Sequence, residues 1–530
     1  MNSYYSIFYY ILFLPLVLII YQLFPQKKRW FVLLIGSYCF FWSLSGILII
    51  YLLLSTLSIH YTGLWLSSID NDFHEFTADM EKAEKKKQKK IYQRKKTHVV
   101  AFAVIIHIGL ILVLKYSQFF STNINTLFCW LNIPVQIVVP KFAIPIGLSF
   151  YTLQAVSYIF DVYRGVIKAD KNLGRLALYI SFFPQIMEGP ICRYSDTAQQ
   201  LWEGKPITYN NLTLGIQRIL LGMLKKFVVA DRLNPLIKAV FKSYGSYDGG
   251  VIALAAVCYT IQLYMEFSGT MDIVNGTAEI VGVRMPENFE RPFFSKTISE
   301  FWKRWHITLG TWFRDYVFYP LSMSKLSKRI TSKARKKIGN YYGALLAGSI
   351  ALFTVWFFNG LWHGVGWNYI FFGMYHFVLI LCGNIFMPVA IKITDSLKIN
   401  RNHGIYKLFQ MIRTSILVVI GELFFRATDL TAGFAMFYNM VSNMTFASVT
   451  NRSVMKLGLD KEDFGIVAVT LIIILVVSIL KEKGHHLRKD ISGKILPIRW
   501  MFYFGLIMFI IIFGAYGPGY IPVDPMYADF

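Results

Sequence analysis

Apolar runs of about 20 residues recur from one end of this chain to the other. Each is long enough to cross a hydrocarbon core roughly 30 Å thick as an α-helix. Inside lipid the backbone must satisfy its own hydrogen bonds, which leaves only helices and closed barrels. A barrel needs short alternating segments, and this sequence has none. The expected fold class is therefore all-α, a polytopic membrane protein. Composition agrees: of 530 residues, 55% are hydrophobic, 17% aromatic and 16% charged, whereas soluble proteins average about a quarter charged.

Candidate spans lie at about 5–24, 30–43, 46–66, 98–117, 141–163, 174–190, 211–231, 248–268, 341–358, 364–390, 405–427, 464–480 and 498–515. Some are short enough to be re-entrant, so about 11–13 crossings are expected, with short interfacial or re-entrant helices beside them. The run at 5–24 lacks a basic leader and a small-residue cleavage site, and meets Lys27-Lys28-Arg29. It reads as a retained span. No fixed-period repeat is visible, which argues against a solenoid.

Net charge is +24. The basic residues collect between apolar runs, as the positive-inside rule requires, and form no aromatic-interleaved face. A nucleic-acid partner is therefore not expected. The strongest cytoplasmic marker is the basic loop 71–97, which contains Glu81 to Lys90 and Arg94-Lys95-Lys96. Contact with anionic membrane lipid is a secondary role for it. Placing it inside, with 27–29, 325–337 and 481–494, leaves the N-terminus outside. The five cysteines (Cys39, Cys129, Cys192, Cys258, Cys382) show neither disulfide nor zinc spacing.

The middle third is different. Between Tyr259 and Tyr319 the sequence stays aromatic but acquires Glu266, Asp272, Glu287, Arg291, Arg304, Arg314 and Asp315, with Pro286, Pro292 and Pro320. Such a segment cannot cross lipid as one helix. It suits short helices lining a wet cavity. Here Phe301-Trp302-Lys303-Arg304-Trp305-His306 carries one histidine. A second sits in Asn359-Gly360-Leu361-Trp362-His363-Gly364. Neutral imidazole is the side chain best suited to take and return a proton near neutral pH, and ionisable groups kept in a membrane are functional candidates. On one helix Trp302 and His306 would share a face. Gly360, Gly364 and Gly366 permit close backbone approach around His363, and Trp362 and Trp367 supply bulk that would be expected to exclude water. The bland readings stay open: His306 as an interfacial histidine bonded to a carbonyl, His363 as a satisfied histidine between packed helices. His376 reads as structural. No HExxH, P-loop or GxSxG pattern occurs, which disfavours a metal hydrolase, an ATP-driven pump and a serine hydrolase. No metal ligands are assigned.

Several further segments extend the pattern: Pro145 to Gln154, Tyr158 to Arg164, Phe182-Phe183-Pro184-Gln185, Glu188-Gly189-Pro190-Ile191, Phe267-Ser268-Gly269 with Asp272, Pro286-Glu287-Asn288-Phe289 and Trp312-Phe313-Arg314-Asp315-Tyr316. With the two histidine motifs, in this order over roughly 140–375, the chain resembles the membrane-bound O-acyltransferase family. It is most similar to the bacterial branch that acylates extracytoplasmic polymers. The resemblance implies N-terminal helices over 1–140, a catalytic core over 141–390 around a central channel, and C-terminal helices over 391–530, all in one integral membrane domain. It implies His363 as principal catalytic residue and His306 as second signature histidine. Trp302, Arg304, Arg314, Asp315, Asn359, Trp362 and Glu266 are expected to support them or line the channel. Many relatives carry glycine where Asn359 stands, and many end in an aromatic, glutamine-containing tail where this chain reads Met526-Tyr527-Ala528-Asp529-Phe530.

The implied activity is O-acyl transfer, with acetyl as the acyl group. No cofactor is expected to be resident, and acetyl-coenzyme A would be the donor on the cytoplasmic side. The acceptor would be a hydroxyl of a cell-envelope polysaccharide, reached directly or through an accessory acyltransferase resembling the SGNH hydrolases. The site of action would be the bacterial cytoplasmic membrane. Two alternatives stand beside it: transfer of D-alanyl or another acyl group to a teichoic-acid-like polymer, and a non-enzymatic transporter or flippase. A relay in which His363 passes the acyl group to an external transferase is a variant of the first reading.

Overall fold

A computed structural model describes residues 4–445, 447–517, 520 and 522–523. The tail Met526 to Phe530 lies outside them. The described chain is helical and irregular, with a single isolated β-bridge, Phe289 to Trp305. Eight of its helices are long and apolar enough to cross a membrane, against the 11–13 crossings expected, and the chain is a multi-pass membrane protein. The difference has local causes. The expected spans 30–43 and 46–66 fall in one 51-residue segment, Gln26–Phe76. It is interrupted at Gly46, whose φ of 53° suits glycine. The expected span 141–163 begins too early: Pro140 and Pro145 keep the chain extended, and the helix Leu148–Arg164 starts only after Gly147. Gly147 has φ 76°, and a Cβ there would lie 1.9 Å from the Ile186 carbonyl oxygen.

The charged stretches read as loops are largely helical. Ile49–Phe76 and Lys82–Ile111 form an antiparallel hairpin that takes in most of 71–97, pinned by Lys96 Nζ on Asp70 at 2.7 Å. Likewise 325–337 is the start of Lys325–His363, which breaks only at Gly339 (φ 81°). Lys, Glu, Gln and Ala are strong helix formers, so these helices run on past their apolar stretches.

The chain divides into two compact units. The first comprises Met1–Gly215 and Val274–Pro286. In it the expected span 174–190 resolves into a short helix, Leu173–Ser181, and an irregular stretch, 182–192, that is buried throughout. Irregular backbone at this depth needs partners from protein. Phe183 N–H donates to Ser37 Oγ at 3.0 Å. Tyr4 OH donates to the Phe183 carbonyl at 3.0 Å and accepts from Met187 N–H at 3.2 Å. Tyr179 OH donates to the Cys192 carbonyl at 2.9 Å.

The second unit comprises Ile216–Ile273 and Glu287–Met526. It holds most of Gly249–Ile280, a long helix in which 72% of the most apolar window is buried, whereas Leu496–Phe513 shows only 6%. The first therefore runs inside protein and tolerates charge; the second faces outward. Asp272 on the buried helix meets Arg218 Nε at 3.0 Å and Lys225 Nζ at 2.7 Å. Beyond Ile280 the chain breaks into Pro292–Phe294, Ile298–Arg304, Ile307–Phe313, Arg314–Phe318 and Tyr319–Ser322, the short pieces expected of the charged segment. Lys325–His363 and Trp367–Ser396 then pair as an antiparallel hairpin, with Gly404–Arg426 packed against the latter.

Candidate active site

His363 is the last residue of its helix, and Gly364 and Gly366 carry the chain in extended form into the next. The hairpin closes tightly because its contact positions lack side chains. A Cβ on Gly373 would lie 2.3 Å from the Trp356 carbonyl oxygen, and one on Gly360 would lie 2.5 Å from that of Tyr369. On Gly364 it would strike the Tyr369 ring at 2.3 Å. Gly373→Leu is therefore expected to part the hairpin and displace His363. Overpacking of this kind costs about 1–3 kcal/mol, so the protein should still accumulate, at a lower melting temperature, while acyl transfer falls far more than abundance.

His306 is reached differently. The helix Ile298–Arg304 ends before it, Trp305 is extended and bridges Phe289, and His306 takes a left-handed backbone (φ 45°, ψ 51°). The helical face shared by Trp302 and His306 is thus corrected: the chain turns between them. A non-glycine residue in this region is held there by its surroundings. The holding group is Asn288. Its Oδ1 accepts from Thr308 N–H at 3.0 Å and Thr308 Oγ1 at 2.9 Å, and lies 3.3 Å from His306 Nδ1. An atom that accepts from a backbone N–H is the amide oxygen, so His306 Nδ1 must be the protonated nitrogen and Nε2 the one with the lone pair.

The two imidazoles come together, with ring centroids 6.4 Å apart. Both are buried, 3% and 4% exposed. Trp362 packs against both, 5.6 Å from His306 and 5.0 Å from His363. Phe267 closes the far side of His306 at 4.8 Å. Phe425 and Phe372 close that of His363, at 5.4 and 5.9 Å. Burial first, and the nearby His363 second, hold the His306 pKa well below the ordinary histidine value. An unfolded histidine titrates near pH 6.5 (about), so the unfolded chain takes up a proton that folded His306 refuses. The corresponding stability is present above pH 6.5 (about) and is lost as pH falls below it. Melting of the purified protein is expected to drop between about pH 7 and 5, with a smaller drop in His306→Gln.

Trp302 packs against Trp356 at 5.0 Å, His376 at 4.8 Å and Phe372 at 5.9 Å, and Phe372 in turn meets His363. Asn359 is 7% exposed on the same helix as His363. Trp302 Nε1, Asn359 Oδ1, both ring nitrogens of His376 and Glu422 Oε2 are all buried without a hydrogen-bond partner in the protein. Orphaned polar atoms are rare in native folds and cluster where chemistry happens. Glu266 is buried on the helix that supplies Phe267, 3.6 Å from Lys226 Nζ. Arg304 is tied to Glu300 at 2.9 Å and Glu482 at 3.5 Å. Arg314 pairs with its neighbour Asp315 at 2.9 Å, on side chains 53% and 33% exposed. Such exposed pairs contribute little to stability. Among the described residues no group of three His, Cys, Asp or Glu side chains could hold a metal.

Sequence reasoning missed Phe425 and Glu422, which arrive from a later helix, and the role of Asn288. Only the polar Asn288 within an aromatic, proline-flanked stretch gave any signal.

Residues 90–335 match the model of the membrane-bound O-acyltransferase family; the match contains His306 and stops short of His363. The chain is 29% identical over 432 residues to the probable alginate O-acetylase of Pseudomonas aeruginosa, covering 81% of this chain and 73% of that protein. It is 33% identical over 246 residues to the teichoic acid D-alanyltransferase of Bacillus subtilis, covering 46% and 59%. It is 26% identical over 364 residues to the peptidoglycan O-acetyltransferase of Helicobacter pylori, covering 64% and 63%.

Proposed function

We propose that this chain, whose residues 90–335 match the membrane-bound O-acyltransferase family, is a member of that family and moves acetyl groups from cytoplasmic acetyl-coenzyme A toward hydroxyls of a cell-envelope polysaccharide outside the bacterial cytoplasmic membrane. The observation that carries this reading is the pair of buried imidazoles, 6.4 Å apart and walled by aromatic rings. Similarity to an alginate O-acetylase over most of the chain, and to a peptidoglycan O-acetyltransferase, supports acetyl and a polysaccharide acceptor.

In the proposed step His363 takes the proton of the acceptor hydroxyl as that oxygen attacks the thioester carbonyl. The tetrahedral intermediate collapses, the carbon–sulfur bond breaks, and the thiolate recovers the proton from the imidazolium. Ester and thiol are the products. The oxyanion needs a donor, and the Trp302 indole N–H and the Asn359 carboxamide are buried polar groups of the right kind. The aromatic wall keeps water from the thioester. His306, fixed by Asn288 with its lone pair on Nε2, orients the acceptor hydroxyl. Asn288→Leu is expected to lower turnover by roughly tenfold or more, an effect of the size seen when a supporting hydrogen bond is lost, with protein abundance measured alongside. An accessory acyltransferase resembling the SGNH hydrolases would complete transfer outside.

The test is polymer-linked acyl content in cells lacking the chain, with and without complementation. Loss of O-acetyl restored by the wild type supports the reading; unchanged O-acetyl sinks it. Similarity to a D-alanyltransferase favours D-alanyl as the second acyl group to assay. Full acyl content of both kinds would turn the question to transport.

A further inference from the structure

In the first unit a cleft of about 500 Å³ opens between the loop at 167–171 and the helix Tyr194–Glu203. Lys168, Lys171 and Arg175 line it, and Asp170 is the only acidic group in its wall. Among the described residues none of the three cations has a carboxylate partner. The Asp170 carboxylate is already engaged, by Tyr194 OH at 2.5 Å and Asn172 N–H at 2.8 Å. The Arg175 guanidinium lies 4.6 Å over the Trp202 ring. Stacking of this kind fixes the plane and leaves its N–H edge for a bidentate acceptor. Two helices, Leu173–Ser181 and Tyr194–Glu203, begin at the cleft, so the positive ends of two helix dipoles add to the cations.

We propose that this cleft binds a phosphate group, of an anionic phospholipid headgroup or of a soluble phosphate compound. Three cations against one carboxylate leave a balance of +2, which suits a phosphate carrying about −1.5 to −2. Its position fits. Tyr163, at the end of the helix leading into the cleft, accepts from Gln93 Nε2 at 2.8 Å. Gly204, just past the second helix, accepts from Arg29 Nη1 at 3.1 Å. The cleft therefore lies at the end of this unit that carries the basic segments 27–29 and 82–97. That end faces the cytoplasm by the positive-inside rule, where anionic headgroups concentrate.

The experiment compares the full-length wild type with the triple variant Lys168→Gln/Lys171→Gln/Arg175→Gln. Native mass spectrometry of protein from nanodiscs containing phosphatidylglycerol or only phosphatidylcholine counts retained lipid. Equilibrium dialysis with labelled pyrophosphate measures soluble phosphate binding. All three residues are exposed, so folding should survive. Loss of one retained phosphatidylglycerol assigns a headgroup site. A fall of about tenfold or more in pyrophosphate affinity, the least expected from losing charge-assisted bonds, assigns a soluble ligand. Retention of both would overturn the proposal. So would an equal loss in Lys86→Gln/Lys87→Gln/Lys89→Gln, which removes the same charge from a helix outside the cleft.

Discussion

His363→Ala is expected to bring polymer-linked O-acetyl down to the level of cells lacking the chain, with protein abundance within about twofold of wild type. A positioned general base contributes roughly 10²- to 10⁴-fold, because the alcohol must lose its proton as it attacks. His363→Gln separates shape from chemistry: it fills similar space but cannot carry the proton, so it should be as inactive as alanine. The residue ends its helix and packs against Trp362, Phe372 and Phe425, so a cavity is the structural side effect. His363→Phe would fill that cavity and restore melting without restoring transfer. More than about a tenth of wild-type acetylation in either His363→Gln or His363→Phe would sink the base role.

Lys226→Ala is expected to abolish accumulation of the folded protein. The ammonium is 1% exposed, 3.0 Å from Asp231 and 3.6 Å from Glu266, and it donates to the Val523 carbonyl at 2.8 Å. Removing it takes this cation from two buried carboxylates. Breaking a buried pair from one side costs about 3–5 kcal/mol, a large part of the roughly 5–15 kcal/mol by which a domain is stable. Adding Glu266→Gln to Lys226→Ala removes one stranded charge and should recover part of the signal. Detergent-solubilised membranes analysed by fluorescence-detected size exclusion give the readout. Wild-type levels of monodisperse Lys226→Ala would show that the cluster is hydrated and contributes little.

The membrane class was legible because apolar run length is a one-dimensional property. Segment boundaries were not, where two rules competed. At 82–97 and 325–337 charge pattern suggested loops, yet the residues there favour helix and the helices continue. At 174–190 hydropathy suggested a span, but Pro184, Gly189 and Pro190 break it, and the burial of the remainder comes from tertiary partners. The two histidine motifs were readable from their aromatic and glycine neighbours. The shared helical face of Trp302 and His306 failed because periodicity says nothing about a left-handed residue. His376 read as structural from its apolar run; its orphaned ring nitrogens became visible only in three dimensions, against Gly421, where a Cβ would sit 2.8 Å from Nε2.

The irregular stretch 182–192 also carries information about biogenesis. Its Phe183 and Met187 backbone groups are satisfied by Tyr4 and Ser37, nearly 150 residues or more earlier in the chain. Lowered into lipid alone, this segment would expose bare amides and carbonyls to hydrocarbon, each a penalty of several kcal/mol. The N-terminal helices must already be in place to receive it. Synthesis delivers them first, so the direction of translation supplies the order of assembly, and a circular permutation that moved residues 4–45 to the C-terminus would reverse it.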